Sequence, residues 1–338
     1  MKMIFIVGNS RSGTTMLGRV FGLHPQVHTF DEIHFFENLV RFSDVHERSE
    51  WSHDRLIELA ERLLTTEREY RHLFAKVNQG KYRDDAETII TLASAKDPVS
   101  VYKSFLSFET SRQGKSIPCE QTPRYLFYAQ EILSIFPEAV VINLVRDPRD
   151  VLLSQKNKWR RRYIDSKRTP LIESIRSWAN YHPYTITRLW VSSVRMAEKC
   201  ASSRRFMTLR YEDLLDKPES SIQELCRFVG IAYSPAMLRV SQIGSSTDKD
   251  KPDVTGIDVN RAGSWLKGGL SDVELAVCQD VAGKSMANHG YEVSPVGIGV
   301  TQKVMASLSF LVKIVLAISL NIHRTTNLID SIRRRVNA

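Results

Sequence analysis

The chain alternates two kinds of hydrophobic pattern: short apolar runs closed by polar turns, and longer stretches whose apolar residues recur at helical spacing. Met3-Ile4-Phe5-Ile6-Val7 is the first run and predicts a buried strand. Gly8-Asn9-Ser10-Arg11-Ser12-Gly13 follows as a glycine-bracketed turn, and Thr14 to Leu23 predicts a helix. Past the break at His24-Pro25, Gln26 to Phe30 reads as a second strand. Ile117 to Glu120 reads as a third, ending in the turn Gln121-Thr122-Pro123. Ala139 to Val145 is the most strand-like run, nearly all apolar, as a parallel strand covered on both faces requires. It ends at Arg146-Asp147-Pro148-Arg149-Asp150, where Asp147 can cap a helix whose first residue is Pro148. Arg205 to Leu209 predicts a fifth strand.

Helical patterns fill the intervals. Residues 37–114 are polar and rich in acid–base pairs, and they predict a helical insertion or cap over the sheet with a solvated charged face. Leu126, Ala129, Ile132, Leu133 and Phe136 share one helical face, and a long helical region carries Trp159, Trp178 and Trp190. Pro218 opens an amphipathic helix that Gly230 stops, Gly244 to Ser264 reads as loop, and Leu270 to Asn288 predicts another helix. Strands alternating with helices imply one α/β domain over residues 1–295, a P-loop-like three-layer fold around a central parallel sheet of about five strands. Residues 296–338 form a tail, apolar from Val304 to Leu320 apart from Lys313 and serines, then basic through Arg324 and Arg333-Arg334-Arg335. A membrane span needs about 20 apolar residues and disfavours a charge at its centre. The tail therefore reads as an amphipathic basic helix packed on the domain or a partner, with peripheral contact to a membrane surface as the alternative.

Chemistry is best marked at the first turn. Between a strand and a helix N-terminus, backbone N–H groups and the positive end of the helix dipole converge, and glycine lets an anionic group approach the backbone. The spacing of Gly8 and Gly13 matches the start of G-x-x-x-x-G-K-[ST], but Thr14 stands where that motif has lysine, and the cation comes earlier, at Arg11. That lysine reaches the β/γ-phosphates of a triphosphate. Its absence disfavours Mg²⁺-dependent NTPase or kinase chemistry and leaves room for a nucleotide carrying another anionic group. Asp31-Glu32-Ile33-His34 directly follows the second strand, at the edge where open α/β sheets bind ligands.

The net charge of +9 favours an anionic ligand, acceptor or surface without choosing among them. Cys119, Cys200, Cys226 and Cys278 are too widely spaced for a zinc site or a disulfide scaffold and fit a reducing compartment. The chain enters a strand at Met3, so no signal peptide is expected, and the expected location is cytoplasmic or membrane-peripheral.

Three pieces of the chain, in order, resemble the sulfotransferases that use 3′-phosphoadenosine 5′-phosphosulfate (PAPS). Arg11-Ser12-Gly13-Thr14-Thr15 is similar to the loop that binds the 5′-phosphosulfate, in wording closest to the tyrosylprotein branch and related bacterial enzymes. Arg146-Asp147-Pro148-Arg149-Asp150 with Ser154 resembles the 3′-phosphate motif, and Arg210-Tyr211-Glu212-Asp213-Leu214 the segment whose tyrosine lies by the adenine. The likeness runs from Met3 to Tyr291. It implies PAPS as co-substrate, PAP as product, no metal, no nucleic acid, and an acceptor hydroxyl on a sugar, a lipid or another small compound, anionic ones included. A tyrosine phenol is the second choice.

The resemblance also implies roles. Arg11 would offset charge on the leaving phosphate, and Glu32, matching the second glutamate of G-E-E-T-R, would be the base. His34 stands in place of that motif's arginine and would hold the acceptor, orient Glu32 or act as the base itself. Gln121 replaces the lysine of the E-K-T-P found in many bacterial relatives, which removes one cation beside the sulfate. Arg261-Ala262-Gly263-Ser264-Trp265 matches the family only loosely and is assigned no role, and the basic run from Lys156 to Arg162 reads as a solvated helix face. The other readings are a P-loop kinase or NTPase and a nucleotide or polyanion binder without turnover.

Overall fold

Met3–Gly8 (β1) is buried at every position. In the computed structural model it is the middle strand of a parallel sheet, joined by Val27–Phe30 (β2), Ile117–Glu120 (β3), Ala139–Val145 (β4) and Phe206–Arg210 (β5) in the order β2-β3-β1-β4-β5. The structure describes residues 1–46, 48, 50–69, 80–160, 163–164, 167–168, 170–242, 251–294 and 296–321. β1 pairs with β4 from Met3↔Ala139 to Gly8↔Leu144, and β4 with β5 from Val141↔Phe206 to Val145↔Arg210. Phe30 and Phe5 both stand opposite Glu120, so the carboxyl ends of β2 and β3 lie level. The residues that follow Gly8, Phe30, Glu120 and Val145 therefore emerge along one edge.

Successive side chains of a strand point to opposite faces, and both faces of β1 are covered. Met3, Phe5 and Val7 meet one apolar cluster, which takes Leu56, Leu63 and Ile89 from the helices His53–Glu69 and Arg83–Ala93 and Tyr102 and Phe105 from Pro98–Arg112. The stretch read as a polar cap thus supplies a full layer of core. Its charges are partly internal too: Glu109 is buried and holds Arg68 at 2.5 Å and Arg112 at 2.9 Å. Ile4 and Ile6 face the other cluster, with Leu17, Val20 and Phe21 of the helix Thr14–Gly22 and Ile222 and Leu225 of Pro218–Val229. A third cluster joins Val151 and Leu152 to Trp190 and to Cys278 and Met286.

The region carrying the three tryptophans is not one long helix. It divides into Pro148–Asn157, a short turn Lys158–Arg160, a two-residue antiparallel pair (Tyr163–Ile164 with Lys167–Arg168), Leu171–Ala179 and Pro183–Cys200. Proline cannot continue a helix but fits its first turn, and Pro148 and Pro183 each open one. The segment read as loop from Gly244 contains a strand, Lys251–Thr255, paired with Ser241–Gln242, while residues 243–250 lie outside the described residues. The tail forms a helix over Val300–Asn321, and the basic residues beyond it also lie outside the described residues.

Candidate active site

The first turn is built by three unusual backbone positions. Gly8 and Gly13 have φ of 155° and 96°, and Arg11 adopts φ 76°, a left-handed value rare for a residue with a Cβ. Ser12 N–H donates to the Asn9 carbonyl at 3.1 Å, closing the turn, and Gly13 caps the helix that Leu17 N–H begins at 3.0 Å. A Cβ at Gly13 would stand 2.5 Å from Cε2 of Tyr211, so glycine is what lets that ring close against the loop. Ser12 is buried and its hydroxyl has no partner among the described residues. Thr14 is buried, whereas Thr15 is exposed and lines a recess with Asp31, Gln121, Arg19, Lys115 and Arg239.

Arg146, at the end of β4, reaches the same place. One guanidinium nitrogen donates to the Arg11 carbonyl at 3.3 Å and another to the Arg261 carbonyl at 2.8 Å; Asp150 lies 3.4 Å away, and the Tyr211 ring sits under the guanidinium at 4.5 Å. Its Nε is buried without a partner. Trp190 fixes the residue from behind by donating Nε1–H to the Arg146 carbonyl at 2.8 Å. Ser154 comes up from the helix after β4, where Asp147 caps Arg149 N–H as expected. Ser154 Oγ accepts from Arg11 Nε at 2.9 Å, so the serine read as a partner of Arg146 stands against the other arginine.

The segment assigned no role, Arg261–Trp265, is part of this assembly. Asp150 accepts hydrogen bonds from the backbone N–H groups of Gly263 and Trp265, each at 2.9 Å, and Arg149 lies 3.9 Å over the Trp265 ring. Arg261 Nε is buried and lies 3.7 Å from a carboxylate oxygen of Asp258. The loose likeness to family elements was the one sequence signal for it.

Across the edge, β2 delivers a chain of acids around one imidazole. His34 has φ 54°; its Nε2 lies 3.2 Å from Glu32 and its Nδ1 2.6 Å from Glu37. Burial presses the imidazolium down, but hydrogen bonds to Glu32 and Glu37 and their charges outweigh it and push the His34 pKa up to about 9. Burial works the opposite way on Glu32, and His34, Arg124 and Lys158 prevail over it, holding the carboxyl below its ordinary value. Behind them the buried Glu120 accepts from Ile33 N–H at 3.3 Å and from the Thr122 hydroxyl at 2.5 Å, and burial pushes its pKa up to about 8. Gln121 is buried beside the first helix, its Oε1 without a partner.

Lys158 is the residue that sequence reasoning passed over. It follows Ser154 by four positions, one helical turn on, and its charge is coupled to Arg11, Arg124 and Glu32. Desolvation first, then Arg11 and Arg124, lower its pKa, while Glu32 raises it. A cation is thus coupled electrostatically to both the turn and the acid even though position 121 carries glutamine.

Residues 3–235 match the Sulfotransferase family. Nodulation protein NoeE of Sinorhizobium fredii is 24% identical over 307 residues, covering 86% of this chain and 66% of NoeE. Sulfotransferase 2A1 of Homo sapiens is 27% identical over 137 residues, covering 37% of this chain and 45% of its own length. This chain therefore spans less than two thirds of either relative. A solved sulfotransferase domain from the Synechococcus PCC 7002 olefin synthase superposes with a TM-score of 0.53 at 20% identity, covering 87% of this chain and 96% of that one, and it shares the fold. With a matching region that contains the sheet, the first turn, Arg146 and Tyr211, the chain belongs to the sulfotransferase family.

Proposed function

We propose that the protein transfers the sulfuryl group of PAPS to an acceptor hydroxyl. The observation that carries this reading is the meeting of two anion-binding groups at one sheet edge, with Arg146 donating to the Arg11 carbonyl and an acid–imidazole pair nearby. The residues fit the donor. Buried polar atoms call for partners, and Ser12 Oγ and Arg146 Nε have none among the described residues. Arg11, Ser12, Gly13, Thr14 and Thr15 would hold the phosphosulfate end in a turn of the tyrosylprotein type. Arg146 and Ser154 would hold the 3′-phosphate, with Tyr211 by the adenine.

Sulfuryl transfer, like phosphoryl transfer, asks the protein for positioning and charge stabilisation more than covalent work. Arg11 and Lys158 supply positive charge where it builds on the donor. Glu32 takes the acceptor proton. Both His34 nitrogens face carboxylates, at 3.2 and 2.6 Å, so the ring serves two acceptors only as the doubly protonated imidazolium. Such a ring cannot accept a further proton, and His34 orients Glu32 instead. The acceptor is a sugar, lipid or other small hydroxyl compound.

The test is transfer from labelled PAPS to a broad set of hydroxyl compounds by wild type and Glu32→Gln. Sulfated product from wild type alone, with PAP bound by both, supports the reading. PAP binding with no product from either leaves a nucleotide-binding module, and Mg²⁺-dependent ATP turnover would replace the reading with a P-loop NTPase.

A further inference from the structure

The helix Val300–Asn321 is long and apolar enough to cross a membrane, with mean hydropathy 2.0. It lies along the domain instead, held on one side. Phe310 packs on His182 and Tyr184, Arg176 donates to the Leu320 carbonyl at 3.0 Å, and Asn321 donates to Asn180 at 2.9 Å. Lys313 sits on that same side: its ammonium donates to the Trp178 carbonyl at 2.9 Å and stacks on the indole at 3.1 Å. The charge in the middle of the helix is thereby turned toward the domain. What faces outward between Val304 and Ile318 is aliphatic or methionine apart from Ser307, with Leu311 59% and Val315 62% exposed, while Ser309 Oγ lies 3.1 Å from His182 Nε2 on the domain side.

The helix beneath continues this surface. Leu171, Ile172, Ile175 and Trp178 of Leu171–Ala179 are also exposed, and that helix packs against the turn Lys158–Arg160. We propose that these two helices form a face that seats the protein in the plane of an anionic lipid surface.

Three features favour lipid over a second protein. Protein interfaces carry a polar rim and about one hydrogen bond per 100–200 Å², which an aliphatic strip with a single outward serine cannot supply. An indole stacked on a lysine at the margin of an apolar face suits the headgroup boundary, where one end of a side chain is dry and the other wet. Positive charge adjoins the face at Arg160 on the neighbouring turn, on a chain of net charge +9 whose sequence after the helix carries Arg324 and Arg333-Arg334-Arg335. The contacts of the helix with Trp178, His182 and Arg176 run along its side, the geometry of a helix lying in an interface.

The test is flotation of the full chain with vesicles of phosphatidylcholine and phosphatidylglycerol. Wild type is expected to rise with them and to bind pure phosphatidylcholine vesicles more weakly. Leu311→Glu combined with Val315→Glu is expected to cut the floating fraction by about tenfold, with an unchanged thermal midpoint showing the domain intact. Wild type left in the soluble fraction overturns the proposal, as does a double variant that floats like wild type. So does a wild-type dimer, seen by light scattering, that the same substitutions dissociate. None of these readings needs sulfotransferase activity, so they stand or fall apart from the proposed reaction.

Discussion

Arg11 and Ser154 lie 143 positions apart in the chain and share a hydrogen bond of 2.9 Å, from the guanidinium Nε to the hydroxyl. The bond joins the turn after β1 to the helix after β4, and β1 and β4 are adjacent in register through six residue pairs. The sheet therefore sets the distance between the two anion-binding groups, and side chains need only complete it. Ser154→Ala removes this contact without touching the backbone of either element.

Replacing Glu32 with Gln keeps shape and removes the base. Turnover is expected to fall by about 10²- to 10⁴-fold, while PAP affinity by calorimetry stays near wild type. A variant that retains more than a tenth of the activity in a steady-state assay would return the base role to another group.

The pH profile separates Glu32 from His34. His34 has its pKa raised to about 9 by Glu32 and Glu37, against burial. A raised pKa means that the folded state holds the proton more tightly, so this contribution to stability is complete below the ordinary value of about 6.5 and is lost as pH rises through about 9. With His34 as the positioning imidazolium, kcat falls across that upper limb, and His34→Gln flattens it. If the ring were the base, kcat would climb over the same range.

Arg146→Ala is expected to weaken PAP binding by about tenfold to a hundredfold, the worth of one charge-assisted hydrogen bond at about 1.5–3 kcal/mol. Arg146→Lys keeps the charge, loses the fork and falls between. Titration calorimetry reads both, and unchanged affinity would detach Arg146 from the 3′-phosphate.

Lys158→Ala is expected to lower kcat by about tenfold with little change in PAP affinity or thermal midpoint, because its charge acts between Arg11 and Glu32. An unaltered kcat would mean that its coupling to the site does not reach the reaction.

Gly13→Ala should cost about 1–3 kcal/mol of stability in thermal unfolding, since its φ is 96° and the new methyl would meet the Tyr211 ring at 2.5 Å. The loss should be smaller in a Tyr211→Ala background, where the clash is gone and only backbone strain remains.

The parts of the fold written in local pattern were legible. The runs at β1 and β4, the Asp147–Pro148 helix start and the Gly230 stop (φ 73°) each rest on a few neighbouring residues. The first turn could likewise be found from the spacing of its glycines, and Arg146 from its place at a strand end together with the family resemblance. What was hidden depended on distant contact or on very short elements. Strands of two residues, such as Tyr163–Ile164, are too brief to show a period. High charge masked the core face of the helices from His53 to Arg112, since Glu109 is both ionised in type and buried by its arginines. Lys158 looked like any lysine on a basic helix, and only its electrostatic coupling to Arg11 and Glu32 in the fold sets it apart.

The single carboxylate of Asp150 has a further consequence. It ties down Gly263 and Trp265 by two backbone hydrogen bonds and faces Arg146 as well. The segment beside that arginine is thus a pair of single helical turns, Val259–Arg261 and Ser264–Lys267, joined through Gly263 and tethered to the helix after β4. Together with the Arg146 bond to the Arg261 carbonyl and the Arg149–Trp265 stack, that carboxylate couples the position of this segment to the end of the strand that carries the arginine.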